Sequence, residues 1–362
     1  MNEILIYVRR LDSDLGGPLY STLDLFRLIQ SERPVRILVG GTRRRAEESV
    51  ERYGLSAADV CTSQEYLSGR VPEQHVLHLQ HVFYPEPALL ANLARRRGVK
   101  IVLSPRGALD SWSLARRPYK KAPAIRLLRP LYWERANAIH CTAALEAKQV
   151  QEAVPGSLTL VAPNPVSLAW ETSGASRINS TVRALFLSRL HEKKRPDLAI
   201  SGLAPLLKEG LVECLTIGGS GTQEKVDELK AQARREGVTE KVEFVGELTQ
   251  EQCAQAYDAH ELFILPTSQE NFGRALFEAV AAGSAVFVPR SIDTWNELHD
   301  LGAVEIEQNP VSIERAVRTY LSAGVAQRRS ASEVRRLRAK EFLAPDRLRA
   351  QYLDLYEQVE RL

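Results

Sequence analysis

Two glutamates eight residues apart, Glu270 and Glu278, stand in the segment Ser268-Gln269-Glu270-Asn271-Phe272-Gly273-Arg274-Ala275-Leu276-Phe277-Glu278-Ala279-Val280-Ala281-Ala282-Gly283. Carboxylates accept hydrogen bonds and vicinal sugar hydroxyls donate them, so the pair could read the two ends of a nucleotide sugar if a phosphate site lay between. The flanking sequence supplies that site. Leu262-Phe263-Ile264-Leu265 is a short apolar run stopped by Pro266, and the polar segment after it leads into an alanine-rich helical pattern ended by Gly283. The order strand, loop, helix puts the backbone N–H groups of Asn271, Phe272 and Gly273 at a helix N-terminus, which attracts a diphosphate. Glu270 falls just outside that turn, where it would meet sugar hydroxyls. Glu278 falls two turns inside, where it would meet ribose hydroxyls. The plainer alternative is one Glu favoured by the helix dipole and a second on a solvated face.

A second constellation follows the apolar run Ala184–Leu187: Ser188-Arg189-Leu190-His191-Glu192-Lys193-Lys194-Arg195-Pro196-Asp197. Arg189 offers a bidentate fork and Lys194 a point charge, and two such cations can flank the charge that builds on a departing diphosphate. A solvated charge run is the alternative. Gly16-Gly17 precedes a helical pattern over Leu19–Ile29, where a chain without Cβ could approach phosphate, or simply turn. Gly218-Gly219-Ser220-Gly221 follows another strand pattern but has neither dinucleotide nor P-loop spacing. Asp12-Ser13-Asp14 is read as polar loop, and His78 and His81 lack a third metal ligand.

Positioning these groups requires alternating strands and helices. Ile4–Val8, Val35–Val39, His75–Leu79, Val99–Leu103, Ala138–Cys141 and Leu158–Ala162 read as strands of one parallel sheet. The alternation resumes with Ala184–Leu187, Cys214–Ile217, Val242–Val245, Leu262–Leu265 and Ala285–Val288, after a polar linker at Thr172–Thr181. Helices are predicted between Gly221 and Gly237, over Gln250–His260 and over Pro345–Leu362. The expected fold is α/β, with two Rossmann-like doubly wound domains at 1–170 and 171–341 facing a cleft, then a C-terminal segment 342–362. A chain of 362 residues is long enough for two such cores.

Composition narrows the function class. Hydrophobic residues make up 44% and charged residues 26%, as in soluble globular proteins. No apolar run approaches a membrane span and no signal segment follows Met1, so a cytosolic protein is expected. Cys61, Cys141, Cys214 and Cys253 show no metal spacing and are expected to be reduced structural thiols. The net charge of +3 conceals +7 on residues 1–165 and −4 on the remainder. Twelve basic residues between Leu93 and Arg135 face only Asp110 and Glu134, and Trp112, Tyr119, Tyr132 and Trp133 are interleaved with them. That mixture suits an anionic membrane surface at residues 93–135, with a solvated basic face as the alternative. No nucleic-acid module accompanies it, and no nucleic acid partner is expected.

The window from Glu270-Asn271-Phe272-Gly273 to Glu278-Ala279 resembles the Glu-x7-Glu motif of retaining GT-B glycosyltransferases, the large group-1 family, and the chain is similar to bacterial polysaccharide and lipopolysaccharide glycosyltransferases. The family's Arg-x4-Lys element matches Arg189 and Lys194, with Ser188 where a Gly is usual. The resemblance implies a phosphate role for Gly16 and Gly17, a turn bordering the nucleotide at Gly219, and packing of Leu248 against the base. Ser104-Pro105-Arg106-Gly107-Ala108-Leu109 resembles the loop that faces the transferred sugar, with Arg106 where many relatives carry His. Arg106 cannot serve as a base at neutral pH, but it could stabilise a phosphate oxygen or orient the acceptor.

The resemblance therefore implies a C-terminal helix packing back on the N-terminal domain. Its catalytic residues would be Glu270, Arg189, Lys194 and Arg106. Its donor site would hold Gly16, Gly17, Gly219, Leu248, Asn271, Phe272, Gly273 and Glu278. It implies no cofactor and no metal: a nucleoside-diphosphate sugar is the donor and a glycan or lipid-linked glycan the acceptor, in cell-surface polysaccharide synthesis at the inner face of the cytoplasmic membrane. A nucleotide-sugar epimerase of the same architecture and a non-catalytic partner subunit binding an anionic surface are the rival readings.

Overall fold

The structure is a computed structural model that describes residues 2–11, 17–42, 50–110, 113–114, 118–166, 178 and 180–362. Gly16, Asp12-Ser13-Asp14, Trp112, Arg116, Arg117 and most of the Thr172–Thr181 linker lie outside the described residues. The chain divides into two compact units, Met1–Val166 with Ala344–Leu362, and Ser167–Leu343.

The first unit is a seven-stranded sheet: β1 (Glu3–Val8), β2 (Val35–Val39), β3 (Val60–Thr62), β4 (His75–Gln80), β5 (Lys100–Ser104), β6 (Ala138–Cys141) and β7 (Thr159–Val161). Their spatial order is β3-β2-β1-β4-β5-β6-β7 and every pairing is parallel. The near-continuous apolar runs follow from that, because a parallel sheet is covered on both faces. Alternation then assigns the faces. Ile4, Ile6 and Val8 join a core with the helix Gly17–Ile29 and with Leu348, Tyr352, Leu355, Tyr356 and Val359 of the C-terminal helix Pro345–Arg361. Leu5 and Tyr7 turn the other way, into a core with Leu90, Ala91 and Ala94 of the helix Pro85–Arg96.

The same period of two places His78, Ser104 and His140 on one face of three adjacent strands. They form a buried polar row beneath the C-terminal helix. His140 Nε2 lies 2.8 Å from the Ala162 carbonyl oxygen, and His140 Nδ1 2.7 Å from Ser104 Oγ. His78 Nε2 lies 2.7 Å from Ser104 Oγ, and His78 Nδ1 2.8 Å from the Tyr356 hydroxyl. A carbonyl can only accept, so His140 Nε2 carries the proton there. The remaining protons can then all run one way, from Tyr356 to His78 to Ser104 to His140, with both rings neutral. Burial pushes His140 down to about 3 and His78 well below its usual value, with Arg106 adding to both. The C-terminal helix is fixed further by Arg349 Nε donating to the Leu28 carbonyl at 2.9 Å and by an ion pair between buried Arg33 and Glu360.

The second unit has six strands: β8 (Arg183–Leu187), β9 (Cys214–Gly218), β10 (Val242–Gly246), β11 (Leu262–Ile264), β12 (Ala285–Val288) and β13 (Val304–Glu305). All are parallel, in the order β10-β9-β8-β11-β12-β13. Sequence patterning locates every strand except β3 and β13, edge strands of three and two residues. None of the four cysteines forms a disulfide among the described residues, and Cys61, Cys141 and Cys214 are buried. Among the described residues, no helix is long and apolar enough to cross a membrane.

The basic stretch is less aromatic on its surface than its sequence suggests. Tyr132 and Trp133 are 1% exposed and belong to the core, donating hydrogen bonds to the carbonyls of His81 and Val82. Among the described residues, the large hydrophobic side chains exposed on the helix Pro118–Leu131 are Tyr119, Leu127 and Leu131. Arg126 beside them is exposed, as are Arg95, Arg96 and Arg135 elsewhere in the stretch.

The polar row makes stability pH-dependent. His78 and His140 titrate near 6.5 when unfolded and lower when folded, so their contribution is complete above about pH 6.5 and is lost as pH falls toward the folded values. Each contributes a slope of about 1.4 kcal/mol per pH unit inside that window. The urea midpoint is expected to fall between pH 7 and pH 5, and to fall less steeply in a His140→Asn variant. Equal slopes would show that this histidine does not control the pH dependence.

Candidate functional site

Strand order reverses between β8 and β11: β9 and β10 extend to one side, β12 and β13 to the other. In an open parallel sheet the loops leaving the carboxyl ends of the two strands at such a reversal diverge and leave a crevice between them. Here those loops are Ser188–Arg195 and Leu265–Gly273, the two segments singled out from sequence.

They are joined at several points. Ser268 N donates to the Lys193 carbonyl at 2.8 Å, and Thr267 Oγ1 to the same oxygen at 3.1 Å. Lys194 Nζ pairs with Glu270 Oε2, both side chains being largely buried. The pair leaves Glu270 Oε1 and two of the three ammonium protons without partners among the described residues. Arg189 is exposed, and its guanidinium has no ion-pair partner among the described residues. The next residues bend tightly into a short turn, Glu192–Lys194, and Arg195 caps the helix Pro196–Lys208 at φ 54° while pairing with Asp197.

The Glu270 loop is shaped from below. Asp293 Oδ1 accepts from Gln269 Nε2 at 3.1 Å and Oδ2 from Asn271 Nδ2 at 3.0 Å, while its own N–H donates to the Glu270 carbonyl at 2.9 Å. Thr294 Oγ1 donates to the Phe272 carbonyl at 3.0 Å. Gly273 then caps the helix Arg274–Ala282 in the left-handed conformation, φ 71°, where a Cβ would stand 2.9 Å from Glu270 Cγ. The N–H groups of Phe272 and Gly273 donate no hydrogen bond among the described residues. The Phe272 ring stacks on Phe277 at 4.4 Å, which fixes the loop to its helix.

Glu278 lies one turn inside that helix rather than two, because the helix begins at Arg274. It is 9% exposed, and each oxygen has a protein donor: Arg274 Nε at 2.6 Å and the Tyr257 hydroxyl at 2.9 Å. Each oxygen keeps a second lone pair for an incoming hydroxyl. Burial, then the neighbouring Glu278 carboxylate, pushes the Tyr257 hydroxyl well above its usual range, which keeps it a donor.

Gly219 is the glycine that the geometry requires. Its φ is 132°, its N–H donates to the Gly246 carbonyl at 2.7 Å, and a Cβ there would lie 2.6 Å from the Ser188 carbonyl carbon. Gly219 therefore allows the two turns to touch just before Arg189. Leu248 is half-buried, and its Cδ1 lies near the neighbouring Gly218.

Two of the expected site residues that are described belong to the first unit. Gly17 is the first residue of its helix rather than part of a loop, and nothing crowds a Cβ there. Arg106 sits in the turn after β5 with φ 56° and donates through Nη1 to Asn164 Oδ1. His78 is wholly buried in the polar row. Burial, then Arg106 and Arg9, hold His81 down to about 4. Among the described residues no group of three or more His, Cys, Asp or Glu could hold a metal ion. Sequence reading missed Asp293, Asn164 and Tyr257, which act from distant segments. Arg274 was legible as the helical i,i+4 partner of Glu278.

Residues 171–333 match the model of the family described as glycosyl transferases group 1. Among curated proteins, the chain is similar to a D-inositol 3-phosphate glycosyltransferase of Catenulispora acidiphila, 33% identical over 114 residues, covering 29% of this chain and 26% of that protein. With the D-inositol 3-phosphate glycosyltransferase of Rhodococcus erythropolis it shares 29% identity over 159 residues, 42% of this chain and 36% of that one. The match thus spans about a quarter to a third of the length of these relatives. Sucrose-phosphate synthase from Thermosynechococcus elongatus superimposes with a TM-score of 0.79 at 14% identity, covering 100% of both chains. Anabaena HepE in complex with UDP and glucose gives 0.75 at 16% identity, over 99% of this chain and 100% of that one. These likenesses show a GT-B fold of two Rossmann-like domains.

A Gly219→Ala variant is expected to lose about 2–3 kcal/mol of stability, since the Ser188–Arg189 backbone must move. Gly17→Ala should stay within about 1 kcal/mol of wild type. Thermal melts of the two side by side check this; equal midpoints would refute the close approach at Gly219.

Proposed function

We propose that this chain, whose residues 171–333 match the group 1 glycosyl transferases, is a retaining glycosyltransferase that moves a sugar, a hexose above all, from a nucleoside diphosphate to a glycan or lipid-linked glycan acceptor. The observation that carries the reading is the meeting of the Arg189–Lys194 and Glu270–Gly273 loops at the strand-order reversal. Around that point lie an exposed Arg, a Lys, two backbone N–H groups at a helix N-terminus without partners among the described residues, and two carboxylates, the set that a sugar diphosphate needs.

The roles follow from the chemistry of each group. Arg189, Lys194 and the N–H groups of Phe272 and Gly273 stabilise the diphosphate as the bond from the anomeric carbon breaks and its electron pair leaves with the phosphate oxygen. Glu270 accepts from sugar hydroxyls and Glu278 from ribose hydroxyls. The Lys194–Glu270 pair holds both groups in place beforehand, so that less side-chain freedom is lost when the donor binds. The acceptor oxygen bonds to the same face of the sugar and its proton passes to the departing phosphate, so no carboxylate nucleophile is needed. Arg106 serves the acceptor side, and Gly219 and Leu248 border the nucleotide. Resident metal plays no part in this scheme.

The exposed Tyr119, Leu127 and Leu131 beside Arg126 support a peripheral place on an anionic membrane, at the cytoplasmic face, where a lipid-linked acceptor would be found.

Two experiments test this. Purified protein is incubated with UDP-, GDP-, ADP- and dTDP-sugars, following thermal shift and nucleotide release. One nucleotide should stabilise it, Glu278→Ala should weaken that binding about 10-fold or more, and Arg189→Ala should chiefly slow transfer, about 100-fold. Wild-type behaviour in both variants would sink the assignment, and an isomerised sugar with no acceptor product would favour an epimerase. Separately, the protein should sediment with phosphatidylglycerol vesicles at low salt and be released by salt, with Leu127→Asp reducing capture. Failure of the wild type to bind such vesicles removes the membrane role.

A further inference from the structure

Arg106 is a half-buried cation whose best binding edge is unused among the described residues. Nη1 donates to Asn164, whereas Nε and Nη2 are buried with no hydrogen-bond partner among the described residues. The carboxylate that acts on it electrostatically, Glu146, is committed elsewhere. Its oxygens take Gly107 N at 2.9 Å, Thr142 N at 2.7 Å and Thr142 Oγ1 at 2.9 Å. A guanidinium stays protonated at any working pH, and folded proteins rarely leave buried charged donors unsatisfied. Nε and Nη2 form one edge of the guanidinium plane, the edge that takes two oxygens of a phosphate or carboxylate side by side.

The backbone points to the same place. Three non-glycine residues among those described have a left-handed backbone, and two of them, His81 at φ 75° and Arg106 at φ 56°, follow the adjacent strands β4 and β5. His81 N donates to the Ser104 carbonyl at 3.2 Å, which ties the two turns together. Strained conformations of this kind persist where the surroundings hold a functional group in position. The location is also the carboxyl edge of the first sheet, beside its own reversal of strand order between β1 and β4. Gln80, at the end of β4, has a buried Oε1 without a hydrogen-bond partner among the described residues, a second unsatisfied polar atom at that end of the sheet.

We propose that the Nε–Nη2 edge of Arg106 binds an oxyanion carried by the acceptor, so that the acceptor is a phosphorylated or carboxylated sugar rather than a neutral one. This rests on the glycosyltransferase reading for the word acceptor, but the anion site itself does not. Arg106 is here a substrate-binding residue, and Asn164 positions it through Nη1.

The test uses the whole chain with its donor site filled by the nucleotide that the sugar panel selects, or by UDP where none is selected. Inorganic phosphate, glucose 6-phosphate and glucuronate are titrated by calorimetry and thermal shift into wild type, Arg106→Met and Arg106→Lys. At least one of the three should bind wild type. Arg106→Met should weaken it about 10- to 100-fold, and Arg106→Lys, which keeps the charge but not the fork, about 10-fold. Without ligand, Arg106→Met should melt at or above the wild-type temperature, because it removes an unpartnered buried charge. The proposal is overturned if none of the three binds wild type, if Arg106→Met binds equally well, or if ligand-free Arg106→Met melts lower, which would make Arg106 a structural residue. Nucleotide titration against Glu278→Ala reports on the donor reading separately, so one can fail without the other.

Discussion

The reversal of strand order between β8 and β11 is the constraint from which the second unit takes its chemistry. Two parallel strands lie side by side, yet the chain leaves them toward opposite halves of the sheet, the point at which open α/β sheets place their ligand crevice. Everything with chemical potential gathers there. The Ser188–Arg195 loop brings cations, and the Leu265–Gly273 loop brings a carboxylate and a helix N-terminus. The Lys193 carbonyl, which accepts from both Ser268 and Thr267, fixes the distance between them. Because that distance is set by backbone hydrogen bonds, the Lys194–Glu270 pair works as a positioned element rather than as two flexible surface charges.

Satisfaction of polar groups separates what is structural from what is available. Glu278 has one protein donor per oxygen and Asp293 uses both of its oxygens on the neighbouring loop, so these carboxylates are held in fixed orientations. In the first unit, His78, Ser104 and His140 are fully paired and neutral, and they pin the C-terminal helix to the sheet. Arg106 lies beside this satisfied row with one edge unfilled among the described residues. The contrast is informative because both groups share the same buried surroundings, and only one has been left incomplete.

Much of this architecture was legible in the sequence. Buried parallel strands are written as compact apolar runs between breakers, and eleven of the strands showed that pattern. The Glu270–Glu278 spacing and the Arg189–Lys194 loop could be read because each lies within one strand-loop-helix unit, where local order already fixes which groups face a helix start. At the edge strands β3 and β13, and where a helix began a residue or two from the apparent signal, as at Gly17 and Arg274, the reading slipped.

The amino-acid sequence by itself thus determined the α/β class, the order of elements and the residue types at the crevice, because these depend on periodicity and on spacing along the chain. Tertiary structure alone decided that Lys194 pairs with Glu270, that Tyr257 and Asp293 hold the neighbouring side chains, that Tyr132 and Trp133 are core rather than surface, and that Arg106 Nε and Nη2 are buried without hydrogen-bond partners among the described residues. Those facts are contacts between segments far apart in sequence. Burial and pairing arise when separate elements pack, and no local pattern encodes which distant side chain will arrive or fail to arrive.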